Sequence, residues 1–293
     1  MGGADARRRG AAPQPGAAER APHPRGHPGE GAAAVRRILA RAHADVLAQL
    51  AWANVLVALD FDGTLAPIVD DRDRAAMRPS TRALLAGVCA LYPCAVISGR
   101  SRADVEARLG GVPVRYIVGN HGVEPSVGME RFEEVVRAMR ERLEAAVGGI
   151  QGVEIEDKRF SLAVHFRRSR SATRARQAIE AAVSALPMKT RVIAGKRVVN
   201  VLPEGAPHKG IALEALQALS GADIALYVGD DVTDEDVFES ERPGRLIGVR
   251  VGRRASSAAS YYIDDQRQID ALLARLEGLR STQAVASARR AST

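Results

Sequence analysis

Two closely spaced aspartates, Asp60 and Asp62, follow the apolar run Val55 to Leu59. In an extended segment, side chains two positions apart point the same way, so both carboxylates can reach one site. Neighbouring carboxylates repel, and they either share a proton or bind a cation. Gly63 permits a sharp turn, which we expect the Thr64 hydroxyl to hold together. The pattern predicts a ligand site at a strand end, in preference to a simple Asp-Gly turn.

A second apolar run ends in acids over Tyr227 to Asp236. Magnesium takes oxygen ligands and keeps several waters, so Asp230 can complete a site begun by the first aspartate pair. Alternatively, Thr233 caps the next helix and the acids complement its dipole. Both interpretations can hold together, with Asp230 and Asp231 in the site and Asp234 to Asp236 partly capping the helix.

Two further segments offer groups that can bind a phosphoryl oxygen. Ser98 lies at a predicted strand end, within Ile97 to Ser101, and Lys209 lies at a predicted helix start. A hydroxyl and an ammonium group can each hold such an oxygen. Taken singly, however, a Ser-Gly or Lys-Gly pair is more often a helix cap or a solvated turn.

The net charge of +7 arises from the two ends of the 293-residue chain, because residues 51–279 are neutral overall. A neutral body, with only 4% aromatic residues, argues against a nucleic-acid-binding face. Cys89 and Cys94 have no neighbours at metal-ligand spacing, so we expect reduced thiols. The absence of a long apolar run or a signal peptide favours a cytoplasmic protein without membrane contact.

The elements that position these residues follow from the hydrophobic pattern. Short, fully apolar strands alternate with helices in two separate segments, which is typical of a parallel sheet covered on both faces. Between them an αββαββ order predicts an antiparallel sheet backed by helices. The predicted parts are a disordered extension (1–32), an amphipathic helix (33–52), an α/β core (53–124 and 204–279), an inserted cap (125–203) and a disordered tail (280–293).

The order of these motifs resembles haloacid dehalogenase-type phosphatases, and within them the trehalose-6-phosphate phosphatase family. The resemblance covers roughly residues 54–275. It implies a Rossmann-like parallel-sheet core with an inserted α+β cap. The segments that carry it are Asp60 to Pro67, Ile97 to Arg100, Gly119 to Glu124, and the cap stretch Glu154 to Arg167.

The family resemblance also implies a role for each matching residue in Mg²⁺-dependent hydrolysis of a sugar phosphate. Asp60 would be the nucleophile, and Asp62 the general acid and base. Ser98 and Lys209 would bind the phosphoryl oxygens. Mg²⁺ would be held by Asp60, Asp62 through its backbone carbonyl, and Asp230. The groups expected to support this site are Thr64, Asp231 and Asp234.

The sugar would be recognised partly by the cap, where Glu156 and Lys158 match family positions that hold hydroxyl groups. The expected substrate contacts are completed by Arg100, His121 and Asn200. One departure concerns the identity of the sugar, because Asn200 and Leu202 replace the usual Glu and Arg or Lys of the family pattern. The expected activity is hydrolysis of trehalose 6-phosphate by a monomer. The alternatives are a phosphatase of another sugar phosphate and a non-catalytic regulatory domain.

Overall fold

The computed structural model describes residues 35–69, 71–125, 130–195 and 197–291. Seven parallel strands form the central sheet, in the order β1-β11-β10-β9-β2-β3-β4. The strands are β1 (Arg36–Arg37), β2 (Val55–Leu59), β3 (Cys94–Ile97), β4 (Tyr116–Val118), β9 (Ile224–Gly229), β10 (Leu246–Val251) and β11 (Tyr261–Ile263). The numbers β5 to β8 denote the strands of the cap.

Helices cover both faces of this sheet, as the fully apolar strands predict. They are α1 (Ala44–Trp52), α2 (Pro79–Leu91), α3 (Arg102–Leu109), α6 (Lys209–Ser220), α7 (Glu235–Phe238) and α8 (Ile269–Ala291). Val55, Val57 and Leu59 of β2 pack against α1, α2, α3 and α8. Leu56 and Ala58 pack against α6 and α7. The predicted fold class of the core, a parallel sheet covered by helices on both faces, is confirmed.

The cap is inserted between β4 and α6 and has the predicted αββαββ order. Its elements are α4 (Glu130–Val147), β5 (Glu154–Asp157), β6 (Leu162–His165), α5 (Ala172–Ser184), β7 (Thr190–Gly195) and β8 (Val198–Pro203). The strands form an antiparallel sheet in the order β5-β6-β8-β7. Apolar residues of α4 and α5 pack against one face of it.

The helix predicted over residues 33–52 is wrong in its first half. Arg36–Arg37 form an edge strand, a 3₁₀ turn spans Arg41–His43, and the helix begins at Ala44. The backbone N–H of Ile38 donates to Tyr262, and the Ile38 side chain is fully buried. Pairing with a distant strand therefore outweighs the helical spacing of the apolar residues.

The predicted disordered tail is also wrong over residues 280–291, because α8 continues through the predicted boundary to Ala291. The Arg280 guanidinium donates to the carbonyls of Ala51 and Ala53, at 2.7 and 2.9 Å. It thereby ties the extended helix to the end of α1. Residues 1–32, also predicted to be disordered, lie outside the described residues.

Two smaller features concern the cysteines and the helices of the described chain. Cys89 and Cys94 are free thiols, with no disulfide in the described part of the protein. No helix within the described ranges is both long enough and apolar enough to cross a bilayer.

Candidate active site

The candidate site lies at the carboxyl ends of β2 and β9, which are neighbours in the sheet. The chain runs outward in opposite directions from this pair, and such a switch point leaves a crevice where ligands bind in open α/β sheets. Asp60 follows β2 and is 4% exposed, and Asp230 follows β9. Gly63 has a φ of +83°, and a Cβ there would overlap the Asp230 carboxylate. Glycine is therefore required for the close approach of the two segments.

The turn after Asp62 is held by the backbone. The N–H of Gly63 donates to Ala66 at 2.7 Å, and the N–H of Ala66 donates to Phe61 at 2.8 Å. The buried Thr64 hydroxyl has no hydrogen-bond partner among the described residues. The expectation that this hydroxyl holds the turn together is wrong, because backbone groups already satisfy one another there.

Lys209 lies between two carboxylates. Its ammonium is 2.8 Å from Oδ1 of Asp60 and 2.7 Å from Oδ1 of Asp234. Burial acts to lower the pKa of Lys209, but the two aspartates outweigh it and raise this pKa above its ordinary value. Burial raises the pKa of Asp60, and Lys209 opposes that change. The ammonium is thus a fixed positive charge beside Asp60.

Asp234 is fully buried and accepts hydrogen bonds at both carboxylate oxygens. Oδ1 accepts from Lys209 and from the Tyr227 hydroxyl, the latter at 2.6 Å. Oδ2 accepts from the backbone N–H groups of Asp230 and Asp231, at 2.8 and 2.9 Å. Because these bonds fill the usual acceptor positions of a carboxylate, Asp234 positions its neighbours and leaves little capacity for a further ligand.

Carboxylate oxygens of Asp60, Asp230 and Asp234 lie within 4.8 Å of one another. Oδ1 of Asp230 is buried and lacks a hydrogen-bond partner in the described part of the chain. Burial, with help from Asp234 and Asp231, raises the pKa of Asp230 to about 8. A bound cation would offset the burial of the Asp230 carboxylate and its repulsion by the neighbouring carboxylates. An all-oxygen donor set suits Mg²⁺. Asp60 and Asp230 therefore fit a metal site, while the Asp234 oxygens are already engaged.

Thr233 contacts Asp231 and does not lie at the N-cap of α7. Oδ1 of Asp231 accepts from both the backbone N–H and the hydroxyl of Thr233, each at 2.6 Å. Asp234 is the residue at the N-cap of α7, and its side chain forms no capping bond there. The alternative that Thr233 caps this helix is therefore wrong, whereas Glu235 and Asp236 do lie in its first turn.

Arg100 is directed at Asp62. Its Nε and Nη2 donate to the two oxygens of Asp62 at 2.6 and 2.7 Å, and Nη1 donates to Asp104 at 2.7 Å. Sequence reasoning places Arg100 among the substrate contacts, whereas here its guanidinium fixes the orientation of Asp62. Ser98 lies beside it, is 1% exposed, and accepts at Oγ from the Arg100 backbone N–H.

His121 is a buried imidazole with unused hydrogen-bonding capacity. Neither ring nitrogen has a partner among the residues that the structure describes. Burial, together with Lys158 and Lys209, lowers the pKa of His121 to about 3. The residue has a φ of +58°, an uncommon conformation for a side-chain-bearing residue that often marks functional sites. A neutral donor and acceptor thus lines the cavity.

The predicted cap residues reach the same cavity. Both oxygens of Glu156 accept from Arg72, and His165 lies 2.9 Å from Oε2. Although burial acts to raise it, the bonds from His165 and Arg72 lower the pKa of Glu156 to about 2. The Lys158 ammonium donates to Gly99 at 3.0 Å and approaches Oδ1 of Asn200 at 3.4 Å.

Leu202 plays no part in this cavity. It is fully buried in a small apolar cluster with Phe132, Phe160 and Ile193. Asn200, two residues earlier on the same strand, lines the cavity. Of the two departures from the family pattern, only Asn200 can contact a ligand directly.

The cavity has a volume of about 870 Å³, within the range of small-molecule sites. Its core side is lined by Asp60, Asp62, Gly99, Arg100, His121, Lys209, Asp230 and Asp231. Its cap side is lined by residues that include Glu156, Lys158, His165, Ile193 and Asn200. The five predicted substrate contacts Arg100, His121, Glu156, Lys158 and Asn200 therefore border one space. Ser98, Thr64 and Asp234 are buried and are not among the residues that line it.

Sequence reasoning missed three residues that shape this site: Arg72, Tyr227 and Arg250. Arg250 donates to the carbonyl oxygens of Asp230 and Asp231, and at 2.6 Å to Glu235. An arginine between two valines in a buried strand is a signal that was available. Nothing local distinguishes Arg72 in its polar loop, or Tyr227 in its apolar strand.

Comparison with known proteins gives consistent matches. A model of the trehalose-phosphatase family matches residues 58–267. A trehalose-phosphate phosphatase from Mycobacterium avium is 37% identical over 233 residues, which are 71% of this chain and 59% of that protein. A probable trehalose-phosphate phosphatase 9 from Oryza sativa is 32% identical over 262 residues, covering 76% of this chain and 70% of that protein. The chain thus spans 59% of the length of the mycobacterial relative.

Solved structures share the fold. The C-terminal domain of C. albicans trehalose-6-phosphate phosphatase matches with a TM-score of 0.66 and 22% identity, covering 85% of this chain and 99% of that one. Aspergillus fumigatus trehalose-6-phosphate phosphatase matches with a TM-score of 0.56 and 26% identity, covering 83% and 99%. The C-terminal domain of a Candida albicans trehalose synthase regulatory protein also matches, with a TM-score of 0.61 and 14% identity, covering 80% and 97%.

Proposed function

Because this chain belongs to the trehalose-phosphatase family, we propose that it hydrolyses trehalose 6-phosphate to trehalose and phosphate. The observation that carries the proposal is the arrangement of Asp60 and Asp62 at one end of a cavity whose other end is lined by Glu156 and Lys158 of the cap. A phosphoryl group at the first end and a polyol at the second fit this division of charge and hydrogen-bonding groups.

In the first half of the proposed reaction, a carboxylate oxygen of Asp60 attacks phosphorus. The bond between phosphorus and the sugar oxygen breaks, and protonated Asp62 gives its proton to the departing oxygen. Arg100 donates to both Asp62 oxygens and thereby orients this carboxyl group toward the cavity. The products of this step are the sugar and a phospho-aspartate.

In the second half, Asp62 takes a proton from water, whose oxygen attacks phosphorus and displaces Asp60. Phosphate leaves, and both aspartates return to their starting states. Lys209, fixed beside Asp60 at 2.8 Å, and Ser98 are the proposed partners of the phosphoryl oxygens.

The cofactor proposed is Mg²⁺, held by Asp60, Asp230 and the backbone carbonyl of Asp62. When bound, it would offset negative charge on the transferring phosphoryl group. The orphaned Oδ1 of Asp230 supports this assignment. Asp234 and Asp231 are proposed to position these ligands. The monomeric state, the cytoplasmic location and the absence of a nucleic-acid partner stay predictions.

Two alternatives rest on specific observations. Asn200 stands beside Lys158 where the family pattern has a carboxylate, which favours a phosphatase of another sugar phosphate. The C-terminal domain of a Candida albicans trehalose synthase regulatory protein has the same fold, so a non-catalytic domain is the second alternative. A binding role would require neither the buried Lys209 beside Asp60 nor the clamped Asp62, so we rank catalysis first.

The experiment is phosphate release, with and without EDTA, from trehalose 6-phosphate, glucose 6-phosphate, sucrose 6-phosphate and mannosyl-3-phosphoglycerate. We expect EDTA-sensitive release with preference for trehalose 6-phosphate, and none from Asp60→Asn. Preference for a different sugar phosphate would support the same mechanism with a different substrate specificity. Unchanged release by Asp60→Asn would refute the mechanism, and no release from any substrate would support the regulatory alternative.

Asp62→Asn provides a matched control for the proposed roles. With p-nitrophenyl phosphate, whose leaving group needs no proton, this variant should give a burst of nitrophenolate and then slow. The intermediate can form, but the water that hydrolyses it lacks its base. Asp60→Asn should give no burst. Equal behaviour of the two variants would contradict the separate roles.

A further inference from the structure

We propose that Arg72 is a specificity-determining residue, which fixes Glu156 and holds the cap strand β5 over the sugar end of the cavity. Arg72 belongs to the core, within a 3₁₀ turn over Arg72–Arg74, whereas Glu156 belongs to the cap. The inference rests on the proposed function in one respect, because it takes the ligand at this end to be the sugar of a sugar phosphate.

The Arg72 guanidinium donates hydrogen bonds to both oxygens of Glu156. Nη2 donates to Oε1 at 2.6 Å, and Nη1 donates to Oε2. The side chains are 38% and 25% exposed, so water screens the pair only partly. His165, on the adjacent strand β6, lies 2.9 Å from Oε2. A paired, planar grip of this kind fixes the plane of the carboxylate as well as its position.

The loop that carries Arg72 is itself anchored to the core. The Arg72 carbonyl accepts from Nη2 of Arg100 at 2.8 Å. Arg108 donates to the carbonyls of Asp73 and Ala75, at 3.2 and 2.7 Å. The same Arg100 guanidinium also donates to both oxygens of Asp62. One side chain therefore both anchors the loop that carries Arg72 and orients the proposed general acid.

The strand held by Arg72 is one of the two edges of the cap sheet. β5 pairs with β6 on one side only. A second ion pair, between Arg191 of β7 and Asp236 of α7, joins the opposite edge of the cap sheet to the core. The two pairs therefore fasten the cap to the core at both edges of its sheet.

This arrangement has a consequence for selectivity. With both oxygens oriented by Arg72, Oε1 of Glu156 still has one acceptor position for a sugar hydroxyl, because an oxygen with two lone-pair directions accepts there from Arg72 alone. Loss of the guanidinium would leave Glu156 with His165 and leave β5 without its ion pair to the core. The value of kcat/KM should therefore fall for substrates that extend to β5, and it should stay unchanged for substrates that end near Asp60.

The kinetic test compares Arg72→Ala, Arg72→Lys and Arg74→Ala. Arg74 is the matched control: it lies two residues away, is exposed, and forms no side-chain hydrogen bond or ion pair with the residues described. For Arg72→Ala we expect kcat/KM for trehalose 6-phosphate to fall about tenfold or more, with kcat/KM for p-nitrophenyl phosphate within about twofold of wild type. Arg72→Lys should restore only part of the loss, because an ammonium cannot grip both oxygens.

A double-mutant cycle tests whether Arg72 acts through Glu156. Once Glu156→Gln has been introduced, Arg72→Ala should cost little more, because the grip on the carboxylate is already lost. Independent, multiplicative losses would overturn the proposed coupling. An equal loss for both substrates in Arg72→Ala would overturn the specificity role and indicate a general structural one.

Amide hydrogen exchange without substrate separates this inference from the proposed function. In Arg72→Ala, amides of Glu154–Asp157 should exchange faster than in wild type, while Arg74→Ala should not change them. If wild type hydrolyses none of the sugar phosphates, the proposed function fails, and the exchange comparison still decides whether Arg72 holds β5. Unchanged exchange in Arg72→Ala would refute that hold.

Discussion

Lys158 should make sugar binding depend on pH. Its ammonium projects from the cap into the cavity and donates to Gly99 of the core. Burial, opposed in part by Glu156, lowers the pKa of Lys158 from 10.5 to about 8. The side chain is therefore charged at neutral pH and loses its charge as pH rises through about 8. If Lys158 donates to a sugar hydroxyl, the KM for trehalose 6-phosphate should rise over this interval.

The size of the effect follows from the bonds that Lys158 can make. A hydrogen bond to a charged group contributes about 1.5–3 kcal/mol, which corresponds to about 10- to 100-fold in affinity. Lys158→Met should raise KM by about this factor at neutral pH and remove the inflection. In Lys158→Arg the charge persists at all accessible pH values, so the rise in KM near pH 8 should disappear.

The assay is the pH dependence of kcat and KM for trehalose 6-phosphate beside that for p-nitrophenyl phosphate. The small ester reports titrations at the phosphoryl end, where burial raises the pKa of Asp230 to about 8 in the absence of metal. Only the sugar phosphate should show the additional change in KM. An inflection of the same size in Lys158→Arg, or a flat KM in wild type, would refute the assignment.

The same shift carries a stability prediction whose sign is fixed. Between about pH 8 and pH 10.5 the unfolded chain holds the Lys158 proton and the folded chain does not. The free energy of unfolding should therefore rise with pH across this interval, by at most about 3 kcal/mol from this group. Denaturant titrations at several pH values should show that slope in wild type and a smaller one in Lys158→Met.

Two further substitutions test the core side of the site. Gly63→Ala places a Cβ against the Asp230 carboxylate in a backbone with a φ of +83°. It should raise the Mg²⁺ concentration needed for half-maximal turnover by about tenfold or more. Tyr227→Phe removes the 2.6 Å hydrogen bond to Asp234 and should lower the free energy of unfolding by about 1–3 kcal/mol, with a fall in kcat. Metal titrations and denaturant melts are the measurements.

Each of these two substitutions has a matched control within the chain. Gly221 also has a positive φ, of +67°, but a Cβ there would meet no atom within 4 Å. Gly221→Ala should therefore cost stability and leave metal dependence unchanged. Tyr92 donates to the Leu276 carbonyl at 3.3 Å, away from the site, so Tyr92→Phe should leave kcat unchanged. Metal dependence in Gly63→Ala like that of wild type would contradict the steric argument.

Local sequence patterns were sufficient for the fold class. The apolar run Val55–Leu59 is buried on both faces, and such a run is readable because no polar residue interrupts it. The αββαββ order of the cap can likewise be predicted, because the spacing of its apolar residues changes between the helical and the strand period. Patterns were insufficient at the ends, where Arg36–Arg37 pair with a strand more than two hundred residues later in the chain. Helical spacing carries no information about such a partner.

The sequence by itself determined which groups could do chemistry: Asp60 and Asp62 are placed by strand alternation, and Asp230 by the end of a second buried strand. Tertiary structure alone decided what each group touches. It directs Arg100 to Asp62, buries Leu202 away from the cavity, and joins Arg72 to Glu156 across 84 residues of chain. Strand and helix periods fix the direction of a side chain within its own element, whereas its partner depends on how separate elements pack.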